Sequence, residues 1–84
     1  MRKGILSDMR TMEFTTEKLD AFEIGQELSV SEYQLPTSYY YMIEHALGMS
    51  GNFKNAERLH TFIGRVVDKK KTEMFNIVVL EFED

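Results

Sequence analysis

The clearest pattern of hydrophobic and polar positions covers residues 59–82, near the C-terminal end of the chain. Two apolar runs flank the charged segment 68–72, and this arrangement predicts a β-hairpin that turns at the charged residues. The second run carries apolar residues on both faces of a strand: Val78, Leu80 and Phe82 on one, and Phe75, Ile77 and Val79 on the other. Such a strand is expected to lie centrally, with other strands covering one face and a helix or a second chain covering the other.

Two segments nearer the N-terminus alternate with the period of a half-buried strand. In residues 11–16, Met12 and Phe14 share one face, and polar residues occupy the other. The second segment covers residues 26–31, and Gly25 before it predicts a turn or a bulge. Residues 2–8 are also expected to include a short edge strand. Together with the hairpin, these segments give about five strands.

Residues 36–48 are expected to contain a helix. Pro36 disfavours the helical conformation in the residue before it, and Thr37 or Ser38 can cap the first turn. The apolar residues that follow have helical spacing and form one stripe: Tyr39, Met42, Ile43, Ala46 and Leu47. Gly48 is suited to end the helix in a left-handed conformation. A strand is the competing interpretation, because three consecutive tyrosines are typical of pleated surfaces.

These elements predict one domain, residues 1–84, of the α+β class. We expect a small antiparallel sheet or a partly closed SH3-like barrel of about five strands with one helix, in the order β-β-β-α-β-β. The hydrophobic fraction of 43% is ample for a folded core. A chain of 84 residues without cysteine builds only a thin core, so its stability depends on packing or on self-association.

The hairpin also carries a resemblance to a known group of folds. The segment 62–68, a charged turn and then the segment 77–82 resemble the paired strands of SH3-like small barrels. KOW-type modules of translation and transcription proteins share this order of glycine, valine, turn and a valine-rich strand that ends in an aromatic residue. The segment 22–28 is similar to the entry into the first strand of such barrels. The resemblance implies a small barrel, and it makes a nucleic-acid- or ribosome-associated module an alternative function.

Charge is distributed unevenly along the chain, whose net charge is −4. Residues 8–44 hold eight acids and two bases, whereas residues 54–71 hold six bases and two acids. A candidate patch for phosphate or nucleic acid comprises Lys54, Arg58, Arg65, Lys69, Lys70 and Lys71. A lysine-rich turn also serves to keep strand edges from pairing. Because the whole chain carries fourteen acids, we expect nucleic acid not to be the main partner.

Three consecutive tyrosines are the most unusual local feature of the sequence. Tyrosine offers rigid contact area together with a hydroxyl group and is common at interfaces. The candidate interaction surface comprises Tyr39, Tyr40, Tyr41, Met42, Met49 and Phe53. The alternative is that these rings complete a small core, and the sequence does not decide between the two.

No catalytic motif is present in the sequence. The two histidines, His45 and His60, are isolated, and no cysteine is available as a nucleophile or metal ligand. Phosphate-binding loops and the serine elbow of hydrolases are also missing. We therefore expect no enzyme, no catalytic residue, no cofactor and no metal site. A small-molecule or metal-dependent enzyme is the second alternative, and it would need a pocket that joins a histidine to clustered acids.

The sequence offers no signal peptide and no apolar stretch long enough to span a membrane, so we expect a cytoplasmic protein without membrane contact. The function that these observations favour is a non-enzymatic interaction module. Its expected partner is another protein or a second copy of the same chain, which would make it a homodimer.

Overall fold

Six antiparallel strands close into a barrel in the computed structural model, which describes residues 9–84. The strands are β1 (Met9–Thr16), β2 (Glu27–Gln34), β3 (Tyr39–Ile43), β4 (Gly48–Ser50), β5 (Ile63–Lys71) and β6 (Asn76–Glu83). Their order around the barrel is β1-β4-β3-β2-β5-β6, with β6 returning to β1. Two single turns of 3-10 helix, Leu19–Ala21 and Asn55–Glu57, lie in the connections. The edge strand predicted in residues 2–8 lies outside the described residues.

The predicted helix in residues 36–48 is wrong. This segment forms β3, a turn at residues 44–47 and β4. Side chains of a strand alternate between its two faces, and here Tyr41 and Ile43 point into the barrel while Tyr40 and Met42 point outwards. The apolar residues that suggested a helix are therefore also compatible with a strand. Strand β3 pairs with β2 on one side and with β4 on the other, so its backbone hydrogen-bonding groups find partners in the extended conformation. This pairing favours a strand over a helix.

The predicted α+β class with about five strands is therefore also wrong. Apart from the two 3-10 turns, all regular structure in residues 9–84 is β-strand, and there are six strands rather than five. The barrel that they form is closed and not partly open. Across residues 9–84, no helix is long and apolar enough to cross a membrane.

Gly48 has a different role from the helix end that the sequence suggested. It is the buried first residue of β4, where a Cβ atom would lie 3.1 Å from both the Thr15 carbonyl oxygen and the Ile43 Cδ1 atom. The glycine allows the short strand β4 to approach β1 and Ile43 closely.

The C-terminal hairpin is confirmed, but its turn is displaced from the predicted charged segment 68–72. Strand β5 continues through Lys71, and the turn comprises Thr72–Phe75, closed by a 2.8 Å hydrogen bond from the Thr72 amide to the Phe75 carbonyl. The Thr72 hydroxyl accepts hydrogen bonds from the amides of Met74 and Phe75. A bulge at Val67 shifts the register of the hairpin by one residue. The basic residues of this segment consequently lie along a strand.

Strand β6 is central, as its apolar pattern predicts, because it pairs with β1 on one side and with β5 on the other. Val78, Leu80 and Phe82 point into the barrel and are fully buried. On the outer face, Glu13 of β1 and Lys70 of β5 meet over β6 at 2.7 Å between Oε2 and Nζ. Glu13 is opposite Val79, and Lys70 is opposite Ile77, so side chains of the neighbouring strands flank the outward residues for which we expected a helix or a second chain as cover.

The core occupies the interior of the barrel and draws on every strand except β4. Met12 and Phe14 are buried as the alternation in residues 11–16 predicts. Gly25 forms the predicted turn, with φ +92°, and its amide donates to the Val66 carbonyl at 2.7 Å. The remaining buried apolar side chains of the core cluster are Phe22, Val30, Tyr41, Ile43, Leu59, Val66, Val78, Leu80 and Phe82.

Gly64 of β5 lies so close to the Phe82 ring of β6 that there is no room for a side chain at this position. A Cβ atom at this position would lie 2.7 Å from the Phe82 Cε1 atom and 2.9 Å from its Cζ atom. Because Phe82 is fully buried, its ring has no solvent-filled space into which it can move.

We predict that Gly64→Ala lowers the free energy of unfolding by about 1–3 kcal/mol, because the added methyl group displaces a packed ring. Gly51→Ala is the matched control, since nothing lies within 4 Å of a Cβ atom there. Urea unfolding followed by circular dichroism measures both variants. Equal midpoints for Gly64→Ala and the wild type would show that the Phe82 ring is not packed as described.

Candidate functional site

The two ends of the barrel differ in chemical character. One end, called here the polar end, holds Arg10, Glu32, Arg58 and Asp84, where β1 begins and β2 and β6 end. The other end is formed by the tips of the β3–β4 and β5–β6 hairpins and by the end of β1. The polar end is closed by side chains, whereas the opposite end is open.

A hydrogen-bonded network closes the polar end from the inside. The Tyr41 hydroxyl, at the end of a fully buried side chain, donates to Glu32 Oε2 at 2.7 Å and accepts the Leu59 amide at 2.8 Å. Arg58 donates to both oxygens of Glu32, from Nη2 to Oε1 at 2.7 Å and from Nε to Oε2 at 3.1 Å. The guanidinium also lies over the Tyr39 ring, 4.3 Å from its centroid. Glu32 thus joins β2 and β3 to the segment before β5.

The electrostatics of this network follow from its partners. The hydrogen bonds from Arg58 hold the pKa of the Glu32 carboxyl below its usual value. Burial raises the pKa of the Tyr41 hydroxyl, and the neighbouring Glu32 carboxylate acts in the same direction. Both shifts favour the observed state, in which a neutral tyrosine donates to an ionised carboxylate. Neither group is therefore poised to exchange a proton near neutral pH.

A second set of contacts fastens the chain end over the same opening. Arg10 pairs with Asp84 at 3.1 Å between Nη1 and Oδ2, and it donates to the carbonyl oxygens of Glu57 and Arg58. Asp84 Oδ1 accepts the amides of His60 at 2.7 Å and of Thr61 at 3.2 Å. Because Arg10 and Asp84 are used in internal contacts, they act as a structural closure of the polar end within the described residues.

The opposite end carries an open groove of about 890 Å³ with exposed apolar side chains. Four large apolar residues of the groove are exposed: Leu47 (39%), Met49 (47%), Met74 (82%) and Phe75 (51%). They come from two hairpins that are far apart in sequence. The groove is completed by Thr15, Thr16, Glu17, Lys18, Met42, Ala46, Gly48 and Asn76.

Local structure explains why these side chains remain outside the core. Met42 and Met49 are directly opposed across β3 and β4, and Met49 is opposed to Thr15 of β1. All three lie on the outer face of the barrel, because cross-strand partners share a face. Met74 and Phe75 lie in the hairpin turn whose amides are held by Thr72. The groove is thus built on paired strands and a hydrogen-bonded turn.

The structure divides the predicted interaction surface among three places. Tyr41 is fully buried, and Phe53 packs against the core. Tyr39 lies half-buried beneath Arg58, and Tyr40 stacks on Tyr33 on the outer surface with ring centroids 5.1 Å apart. Only Met42 and Met49 line the groove.

Three of the four exposed large apolar residues of the groove were not predicted from the sequence as part of a site: Leu47, Met74 and Phe75. Each is a large apolar residue in or beside a hairpin turn, where polar residues are usual. Apolar side chains at such positions were a usable signal of an exposed apolar surface.

The predicted basic patch is not brought together. Lys54 and Arg58 precede β5 at the polar end, whereas Lys69, Lys70 and Lys71 lie at the end of β5 near the groove. Three of the six bases are within 4.0 Å of an acid: Arg58 with Glu32, Arg65 with Glu27 and Lys70 with Glu13. Lys69 donates to the Phe22 carbonyl at 2.8 Å. The six predicted bases therefore do not form one continuous row along which a phosphate backbone would lie.

The two histidines occupy opposite ends of the barrel. His45 is exposed in the β3–β4 turn, and His60 is exposed at the polar end, with Nδ1 3.7 Å from Asp84 Oδ1. Within residues 9–84, no group of three or more histidine and acidic side chains is arranged to hold a metal ion.

Comparison with protein-family models, with curated proteins and with solved structures finds no match to this chain. The likeness to SH3-like domains is therefore limited to the architecture of a small antiparallel barrel.

We predict that Glu32→Gln lowers the free energy of unfolding at neutral pH by about 1 kcal/mol, because the charge-assisted bonds to a partly exposed Arg58 are lost. The pKa of Glu32 is lower in the folded protein than in the unfolded chain, so its stabilisation is full above the usual value of 4.5 and disappears as the pH falls through the folded value. Urea unfolding of the variant and the wild type should therefore differ at neutral pH and converge under acid conditions.

The matched control for this prediction is Glu13→Gln. Glu13 also pairs with a base, Lys70, but both side chains are about half exposed, so its loss is expected to change the free energy of unfolding much less than the loss of Glu32 does. If the Glu32 and Glu13 variants were equally stable at neutral pH, the network at the polar end would not contribute as described.

Proposed function

We propose that this protein is a non-enzymatic interaction module that binds an apolar segment of a partner protein in the groove between its two hairpin tips. The observation that carries the proposal is the convergence of Leu47, Met49, Met74 and Phe75 on one concave surface while all four remain exposed. Apolar residues scattered singly over a surface need no explanation, but a contiguous exposed patch is characteristic of binding sites.

The composition of the groove favours adaptable recognition of a protein. Three methionines, Met42, Met49 and Met74, contribute to its walls. Methionine is unbranched and polarisable, and methionine-rich surfaces accommodate apolar side chains of different shapes. Among residues 9–84, the charged residues that line the groove are one acid, Glu17, and one base, Lys18, and they form no basic cluster. An apolar protein segment therefore fits this surface better than a phosphate or a nucleic acid does.

The expected strength of binding follows from the number of side chains involved. The four side chains are already partly buried, so covering the rest of each contributes less than about 1.5–3 kcal/mol, the value for a side chain that goes from fully exposed to fully buried. Association costs about 4–15 kcal/mol in lost freedom of motion, which offsets most or all of this contribution. We therefore propose a transient interaction with a dissociation constant in about the micromolar range or weaker.

A displayed library of random peptides, selected on the immobilised protein, tests this proposal and does not require that the partner be identified. We predict that selected peptides are rich in apolar and aromatic residues and lose at least about tenfold in affinity for Leu47→Asp and for Met74→Asp, because each substitution places a charge in the groove. Both positions lie in turns and are exposed, so the barrel itself should tolerate the change.

Ile24→Asp is the matched control for these variants. Ile24 is likewise an exposed apolar residue in a turn, with 61% of its surface accessible, and it does not line the groove. Selected peptides should bind this variant as they bind the wild type. Peptides that bind the Met74 and Leu47 variants undiminished would overturn the proposal, as would a selection that enriches no groove-dependent sequence.

A further inference from the structure

We infer that the three groove methionines, Met42, Met49 and Met74, are sites of reversible oxidation, and that their conversion to sulfoxides by a peroxide switches off binding in the groove. The inference rests on the proposed function, since it names a chemical change that controls the same surface. The observations that support it are the distribution of methionine over the structure, the access that the groove gives to a small oxidant, and the dependence of binding on apolar contact.

The first observation is that methionine is concentrated in the groove. Of the five methionines in residues 9–84, three line the groove, and they come from β3, β4 and the β5–β6 turn. Met42 and Met49 are cross-strand partners, so their side chains lie next to each other on the outer face of the barrel. Met12 is the one of these five that belongs to the core, where it is 3% exposed. Oxidation in the groove therefore leaves the interior of the barrel unchanged.

The second observation is that a small oxidant can reach these side chains. Met74 is 82% exposed and Met49 is 47% exposed, and Met42 is partly exposed in the same open groove. The sequence contains no cysteine, so no thiol of the chain competes for the oxidant. We therefore expect a peroxide to react first at Met74, then at Met49 and Met42, and last at Met12.

The reaction is the transfer of one oxygen atom to sulfur. A sulfur lone pair attacks one oxygen of hydrogen peroxide, so that an S–O bond forms while the O–O bond breaks. The departing hydroxide takes the proton left on the transferred oxygen, and one water molecule is released. The sulfur thereby loses two electrons, and the peroxide gains them. Methionine sulfoxide reductases reverse the change, because they return the oxygen to water while two thiols are oxidised to a disulfide.

The third observation is that binding in the groove depends on apolar contact. Oxidation replaces a polarisable apolar group by a polar one whose oxygen accepts hydrogen bonds. The Thr15 and Thr16 hydroxyls already donate to the carbonyls of Met49 and Leu47, at 3.3 and 2.7 Å, so neither is free to donate to the new oxygen. An apolar segment that covers the groove offers no donor side chain either, and it displaces the water bound to the sulfoxide. Oxidation should therefore weaken binding by at least about tenfold.

Treatment of the protein with hydrogen peroxide tests the inference, with peptides selected on the immobilised wild type as the probe. Mass spectrometry of protease fragments should show Met74 oxidised first and Met12 intact, and the peroxide is removed before binding is measured. Affinity for the peptides should fall by at least about tenfold and should return after treatment with methionine sulfoxide reductases and a thiol. The circular dichroism of the oxidised protein should match that of the untreated protein, because the core is not oxidised.

Each variant is compared with itself before and after peroxide treatment. Met9→Leu is the matched control, because Met9 is exposed to the same extent as Met49, 47%, but lies at the polar end and does not line the groove. This variant should lose affinity on oxidation as the wild type does. A triple variant with Leu at positions 42, 49 and 74 has no oxidisable sulfur in the groove. Its affinity, measured with peptides selected on that variant, should not change on treatment.

Oxidised wild-type protein that binds the peptides as tightly as before would overturn the inference. So would a loss of affinity that also occurs in the triple variant, or one that the reductases do not reverse. Oxidation of Met12 as fast as Met74 would contradict the difference in exposure on which the inference rests. In each of these cases, groove-dependent binding of peptides by the untreated protein would leave the proposed function standing. Absence of such binding before treatment would remove both.

Discussion

The pairing of β6 with β1 on one side and β5 on the other is the constraint on which the rest of the barrel depends. It places Val78, Leu80 and Phe82 in the centre of the core, where each is fully buried. The same pairing brings β5 against the Phe82 ring and requires glycine at position 64. Outside, it sets Glu13 and Lys70 on either side of β6, where their ion pair bridges the outer face of the strand. A thin barrel can in this way contain a strand that is apolar on both faces.

On its other side β1 pairs with β4 over a much shorter length, and this asymmetry gives the two ends of the barrel their different character. Strand β1 pairs with β6 along its whole length but with β4 only at Phe14 and Thr15. At the polar end, side chains complete the closure, with Arg10 reaching carbonyls before β5 and Glu32 joining Tyr41 to Arg58. At the other end β4 is short, and the Thr15 and Thr16 hydroxyls donate to the Met49 and Leu47 carbonyls but leave a space between the two hairpin tips. The apolar groove occupies that space.

Sequence patterns sufficed for the elements whose period was unambiguous. The alternation of apolar and polar residues predicted strand β1, and two apolar runs around a charged segment predicted the C-terminal hairpin. The conformational freedom of glycine predicted the turn at Gly25. Residues 39–48 misled because Tyr39, Met42 and Ile43 fit a helical stripe and a pleated strand equally well over so short a length. The deciding fact was non-local, since β3 finds strand partners on both sides in β2 and β4. The groove was harder to predict, because it forms where the turn after β3 lies near the turn after β5. No local sequence pattern indicates that two turns so far apart in the chain lie at the same end of the barrel. No sequence pattern marks Glu32, and only the fold shows that it faces the buried Tyr41 hydroxyl.

The central claim is that the groove between the hairpin tips is the contact surface of this chain, and methyl NMR of ¹³C-methionine-labelled protein tests it most directly. Met42, Met49 and Met74 line the groove, whereas Met12 is buried in the core and Met9 lies at the polar end. We predict that, on titration with a selected groove-binding peptide, the methyl signals of the three groove methionines shift together while those of Met9 and Met12 stay in place. Signals that do not move when such a peptide binds, or that move at Met9 instead, would contradict the claim.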